Sequence, residues 1–158
     1  MKSYILTLAT AILAFIPGCV TDNVKFPAPS ADFVAKHDYN LARNKLWEAA
    51  LDALDKNHIA VVSADKSDGI IRTDYIAGPG DVMVPLGISQ LTRYRYNVIV
   101  RSETSGKVKL DIFCTIEDSM SNSRTTGQWH DATSQNTTLE SKLEGWLYEQ
   151  IETELKTP

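Results

Sequence analysis

The chain is poor in the residues that most often carry chemistry. It has three histidines and two cysteines in 158 residues. His37, His58 and His130 fall in separate segments with no pair at helical spacing, so no convergent zinc set is expected, nor any other cofactor. There is no G-x-S-x-G elbow, no phosphate loop and no G-x-G-x-x-G. The nearest glycine cluster, Gly78-Pro79-Gly80, has no helix after it. Pairs such as Glu117-Asp118 carry little weight among 20 acidic residues. The expectation is a protein that is not an enzyme. Basic residues are also in deficit, 16 against 20, for a net charge of −4. Such a chain has no broad electrostatic footprint for nucleic acid.

What is present begins at the N-terminus. Lys2 precedes an almost wholly apolar run from Tyr4 to Ile16, long enough for a signal peptide and too short for a spanning helix of about 20 residues. Ile16-Pro17-Gly18-Cys19 follows and resembles the bacterial lipobox, with Pro17 in place of the commoner Ala or Ser. The resemblance implies cleavage before Cys19, a diacylglycerol on its sulfur and an acyl chain such as palmitate on its amine. That is enough lipid for stable anchoring. Val20 instead of Asp after the cysteine implies the outer membrane, facing the periplasm. Removing 1–18 leaves 140 of the 158 residues, one domain's worth, with a charge of −5 once Lys2 is lost. Residues 19–37 read as lipidated cysteine and tether, with two prolines and no period, and 38–158 as the domain. Cys114 then lacks a partner for a disulfide.

Within the domain, Trp47, Ala50, Leu51 and Leu54 predict a helix over about 40–56, started by Asp38 or Asn40 and ended at a left-handed Asn57. A short leading strand is expected within 33–39. Residues 59–64 and 70–76 read as a hairpin around Asp65-Lys66-Ser67-Asp68-Gly69. A second hairpin joins 91–101, with Tyr94, Tyr96, Val98 and Val100 on one face, to 108–117, with Val108, Leu110, Ile112, Cys114 and Ile116 on one face. That places Cys114 in the core. Residues 118–136 form a polar stretch. The last helix, about 138–156, has a capping box at Thr137 and Glu140 and a stripe of Leu139, Leu143, Trp146, Leu147, Ile151 and Leu155. The fold class is α+β: a two-layer sandwich in the order β-α-β-β-β-β-α, both helices on one face of an antiparallel sheet.

Three features are candidates for binding. The connection 78–90 is unusually apolar (Met83, Val84, Leu86), and either meets a partner or folds under the sheet edge. Arg93, Arg95 and Arg101, with Arg72 nearby, line the other sheet face, as a solvated row or a contact surface. Trp129 is either an interface anchor or a cover for the core.

The segment Leu46-Trp47-Glu48-Ala49-Ala50-Leu51-Asp52-Ala53-Leu54, then Asp65…Gly69-Ile70-Ile71-Arg72-Thr73-Asp74-Tyr75 and Arg93-Tyr94-Arg95-Tyr96, resembles the repeated domain of the BamC lipoproteins over roughly 38–156. Those proteins belong to the outer-membrane β-barrel assembly machinery. The resemblance implies a helix-grip fold and a scaffolding role beside other outer-membrane or periplasmic proteins. This chain departs in having one domain and a short tether. A groove between helix and sheet holding a small apolar ligand is the rival reading, and an accessory regulator of an envelope enzyme is a third.

Overall fold

The computed structural model describes residues 26–78, 82–84, 88–122 and 127–157; Cys19 and Leu86 lie outside them. The architecture is α+β, an antiparallel sheet with two helices. Its centre is a long hairpin of β6 (Ile88–Ser102) and β7 (Val108–Asn122), paired without interruption from Ile88↔Asn122 to Ser102↔Val108. β3 (Ile70–Thr73) and then β2 (Val61–Asp65) continue the sheet beyond β6, and β1 (Asp38–Tyr39) flanks β7 on its other side. Three short strands complete the sheet. β4 (Ile76–Ala77) and β5 (Val82–Val84) pair with β6, and β8 (His130–Asp131) pairs with β7.

The expected order of five strands therefore becomes eight among the described residues. β4, β5 and β8 are two or three residues long, too short to leave a period in the sequence. The apolar connection 78–90 contains β5 and the first residues of β6, and the polar stretch 118–136 contains the end of β7 and β8. The leading strand contracts to Asp38–Tyr39.

Strict alternation on the central hairpin sorts its two faces. Tyr94, Tyr96, Val98 and Val100 of β6 and Val108, Leu110, Ile112, Cys114 and Ile116 of β7 are all buried. α1 (Arg43–Lys56) contributes Leu46, Trp47, Ala50, Ala53 and Leu54 to the same cluster, and α2 (Thr137–Lys156) contributes Leu143, Leu147, Tyr148 and Ile151. Alanines on the inward face of α1 leave room for α2 to lie against it. The space between α2 and the sheet is filled. Tyr96 is fully buried and its hydroxyl donates to the Leu143 carbonyl at 3.2 Å. Cys114 is a buried free thiol, pushed far above its ordinary pKa by burial and then by Glu144.

The helix ends differ from expectation. α1 starts after Ala42, whose extended backbone offers no side-chain cap, and Asp38 lies in β1. At its other end His58, not Asn57, is left-handed, with φ 56°. The Asn57 side chain turns back to donate to the Ala53 carbonyl at 2.8 Å. α2 starts after Asn136, and no side-chain cap from Thr137 and Glu140 forms. The 65–69 turn is as expected. Asp65 Oδ1 accepts from the Ser67 amide at 2.9 Å and the Asp68 amide at 3.0 Å. Gly69 sits at φ +74°, where a Cβ would fall 2.1 Å from the Val100 carbonyl oxygen.

Residues 26–37, expected to be tether, are seated on the domain. Phe26 packs on Tyr94 with ring centroids 6.0 Å apart, and Pro29 lies over Gly145 of α2. The Ser30 amide donates to Glu149 at 2.9 Å, and the His37 ring lies 2.9 Å from the Tyr148 hydroxyl. α2 also closes the free edge of β7 between β1 and β8. The Ile112 amide donates to the Tyr148 hydroxyl at 3.1 Å, and the Cys114 amide to Glu144 at 2.9 Å. Side chains thus occupy backbone groups that would otherwise template another strand.

Candidate interaction site on the open sheet face

The sheet face turned away from the helices carries Arg93, Arg95, Asn97 and Arg101 on β6. Opposite them on β7 lie Glu117, Thr115, Phe113 and Lys109. Arg93 is fixed from three directions. Glu117, its cross-strand partner, accepts from Nε at 2.8 Å and from Nη2 at 2.6 Å. The Tyr75 ring centroid lies 3.9 Å from the guanidinium carbon, and the Trp129 centroid 4.1 Å from it. The cation is therefore stacked between two aromatic rings and held by a carboxylate. An exposed cation–π contact contributes about 0.5–1 kcal/mol and a desolvated one about 2. The Tyr75 hydroxyl completes the circuit by donating to Glu117 at 2.5 Å.

Each part is placed by the local fold. Arg93 and Glu117 meet because the 103–107 turn sets the register of the hairpin. Tyr75 follows β3 where the chain leaves that strand for β4, whose Ala77 pairs with Arg93. Trp129 is delivered by β8, since His130 pairs with Asp118 and Asp131 with Glu117. Burial works to raise the Glu117 carboxyl. The hydrogen bonds from Tyr75 and Arg93, together with both guanidinium charges, outweigh it and hold the carboxyl below its ordinary value. Tyr75 is shifted upward by burial and then by its bond to Glu117.

Beside this clamp lies a cleft of about 380 Å³ lined by Tyr75, Ala77, Gly78, Leu91, Arg93 and Trp129, a mostly apolar wall with one charged group. Arg95 borders it through Tyr75, its guanidinium carbon 4.7 Å from that ring. Its buried Nε has no hydrogen-bond partner among the described residues. Arg101 is spent on Asp111 at 3.0 Å, which also takes Lys109 at 3.3 Å. Phe113 is 50% exposed in the middle of this face.

A second hollow of about 330 Å³ is lined by Gln90, Asp118, Ser119, His130 and Asp131. There Thr92 donates to Asp118 at 2.8 Å, occupying its carboxylate. Among the described residues, no group of three His, Cys, Asp or Glu could hold a metal ion. Among them, too, no helix is long and apolar enough to cross a membrane.

The fold thus brings together Arg93, Arg95 and Trp129 of the expected candidates and sets Arg101 apart. Met83 and Val84 lie in β5, paired with Ser89 and Ile88, on an extension of the sheet rather than in a loop. Two members escaped the sequence reading. Glu117 was set aside with the other carboxylates, although counting outward from the 103–107 turn places it opposite Arg93. Tyr75 appeared only as the last residue of the segment that resembles BamC, with no contact assigned to it. Comparison with models of protein families gives no match to this chain, and comparison with curated protein sequences gives none either.

Proposed function

We propose that the protein is a lipid-anchored lipoprotein of the bacterial envelope that works by protein contact, without catalysis, through its open sheet face. The observation that carries this reading is the clamp of Arg93 between Tyr75 and Trp129. Tryptophan, tyrosine and arginine are the residues most enriched at the energetic centres of protein interfaces. Here they are preorganised, which lowers the ordering cost of association. The filled space between α2 and the sheet favours protein contact over an apolar ligand held in a groove there.

The anchor is Cys19, supported by the lipobox-like Ile16-Pro17-Gly18-Cys19. Six residues lie between it and Phe26, so seven steps reach roughly 23 Å when extended at about 3.3 Å each. Because Phe26 is seated on Tyr94, anchoring keeps the open face within a few nanometres of the membrane. Val20 favours the outer membrane, facing the periplasm. The likeness to BamC supports a helix-grip classification and a scaffold role beside membrane-bound assembly proteins.

The test joins anchor and face. Cells supplied with an alkyne-bearing palmitate analogue should label the wild-type protein and not Cys19→Ser, which should leave the membrane fraction. A photo-crosslinking residue at 129 should capture components of the barrel assembly machinery in intact cells, whereas one at Lys142 on α2 should not. An unlabelled wild type would end the anchor reading. Equal capture at both positions would end the open-face reading, and capture at 129 of an envelope enzyme alone would point to a regulator.

A further inference from the structure

The distribution of charge on the open face says what kind of partner it takes. On β3, β6 and β7 this face carries five cations, Arg72, Arg93, Arg95, Arg101 and Lys109, against two carboxylates, Asp111 and Glu117. The flanking β2 and β8 add Asp65, which accepts from the Ser67 and Asp68 amides, and Asp131, which accepts from the Thr133 amide. The centre of the face, with Asp111 and Glu117 as its carboxylates, is thus basic on a chain whose net charge is −4. Both carboxylates are already used by Arg93, Arg101 and Lys109. Arg95 and Arg72 are the two cations of the set with no ion pair among the described residues. Arg72 pairs with Asn97, two residues along β6 from Arg95, so the two side chains are diagonal neighbours, about 7–8 Å apart at Cα. Arg95 has in addition a buried Nε–H without an acceptor among the described residues. A buried donor left unmade costs about 1–3 kcal/mol, and because Arg95 as a whole is only half-buried, a carboxylate arriving from outside can pair with its guanidinium. The apolar cleft beside Trp129 and Leu91 is walled by Tyr75, the ring that Arg95 lies over.

We propose that the open face binds an acidic segment of a partner protein, one carboxylate of the segment on Arg95 and Arg72 and a neighbouring apolar side chain in the Trp129–Leu91 cleft. This rests on the reading of the open face as a protein-contact surface and names the chemistry of its partner. Repulsion between an acidic partner and the rest of this acidic chain confines docking to the basic centre of the face. Association through it weakens with added salt, because exposed charges are screened beyond about 10 Å at 0.1 M.

The experiment titrates two peptides, acetyl-Glu-Leu-Glu-Phe-Glu-amide and its lysine-for-glutamate counterpart, into the isotopically labelled full chain carrying Cys19→Ser. The readouts are the Trp129 indole N–H and the Arg95 Nε–H resonances. The acidic peptide should shift both, the basic peptide neither. Arg95→Gln should weaken binding about tenfold, the loss of one charge-assisted hydrogen bond. Arg101→Gln, whose cation is already spent on Asp111, should change it less than about twofold. Thermal unfolding of Arg95→Gln shows whether that variant is folded, and Arg72→Gln supplies an independent exposed position if it is not. Equal shifts from both peptides, or none from either, would overturn the acidic partner. Capture at position 129 would still stand as evidence for protein contact. Shifts caused by phosphatidylglycerol vesicles and not by the acidic peptide would overturn it in favour of a lipid surface.

Discussion

Leu110, Ile112 and Cys114 point one way from β7, and Asp111, Phe113 and Thr115 point the other. The two sets share a backbone, a partner strand and a register, yet they do different work. The inner face is closed over by α1 and α2 and holds few polar groups, among them the Tyr96 hydroxyl, which donates to the Leu143 carbonyl. The outer face, taken with β6, holds charge, aromatic rings and the unpartnered Nε of Arg95, with no helix over it among the described residues. Folding consumes the inner face completely. The outer face keeps groups whose bonding potential is unspent, and unspent potential in a fixed geometry is what a partner can use.

The comparison breaks first on the inner face. Leu147 is fully buried on α2, and Leu147→Ala should cost about 3 kcal/mol, transfer and cavity together. In urea the midpoint should fall with an unchanged slope, since the same surface is exposed on unfolding. A loss under about 1 kcal/mol would mean that α2 does not close this face as described.

The clamp comes next. Glu117→Gln leaves Arg93, 29% exposed at its side chain, without its counter-charge, at a cost of about 1–2 kcal/mol. The acid dependence gives the sign. Glu117 is held below its ordinary 4.5, so its contribution is present above about 4.5 and is lost as pH falls through the depressed folded value. The gap between wild type and Glu117→Gln should therefore narrow below pH 4.5. Glu144, on the covered side, behaves oppositely. Burial raises it, and burial outweighs its bond from the Cys114 amide. Its favourable contribution is present below 4.5 and lost as pH rises through the raised folded value. Glu144→Gln should thus match or exceed wild type near pH 7 and lose that margin in acid. Parallel pH profiles for the two variants would refute the assignment of the two carboxylates to opposite environments.

Much of this contrast is legible in the sequence. Alternation over 94–100 and 108–116 assigned every inner residue correctly, because a period of two survives wherever one face is dry. The hairpin turn at Asp65–Gly69 was legible for the same local reason. The helix caps were not, because the residues preceding α1 and α2 form no side-chain cap hydrogen bond. Nor was the full clamp. Arg93 and Trp129 stand out by residue type, but they meet only because β8, two residues long, pairs at Glu117 and Asp118. Pairing between elements that short leaves no trace in a single sequence. The exposure of β2 left no trace either: all five of its residues are exposed, and it ends the strand order beyond β3.

The smallest expected effect separates the faces most sharply, because it compares neighbours one peptide bond apart. Ile112 is 4% exposed and Phe113 50%. Ile112→Ser buries a hydroxyl among aliphatic side chains and removes apolar volume, and should cost more than about 3 kcal/mol. Phe113→Ser removes a larger side chain, yet half of it is already in water and no helix lies over it. Its stability change should stay within about 0.5 kcal/mol, as for most surface substitutions. Any loss of partner binding by Phe113→Ser would then come from the contact itself and not from unfolding. A cost above 2 kcal/mol at Phe113, measured by thermal unfolding at neutral pH, would mean that the open face is covered in solution by part of this same chain.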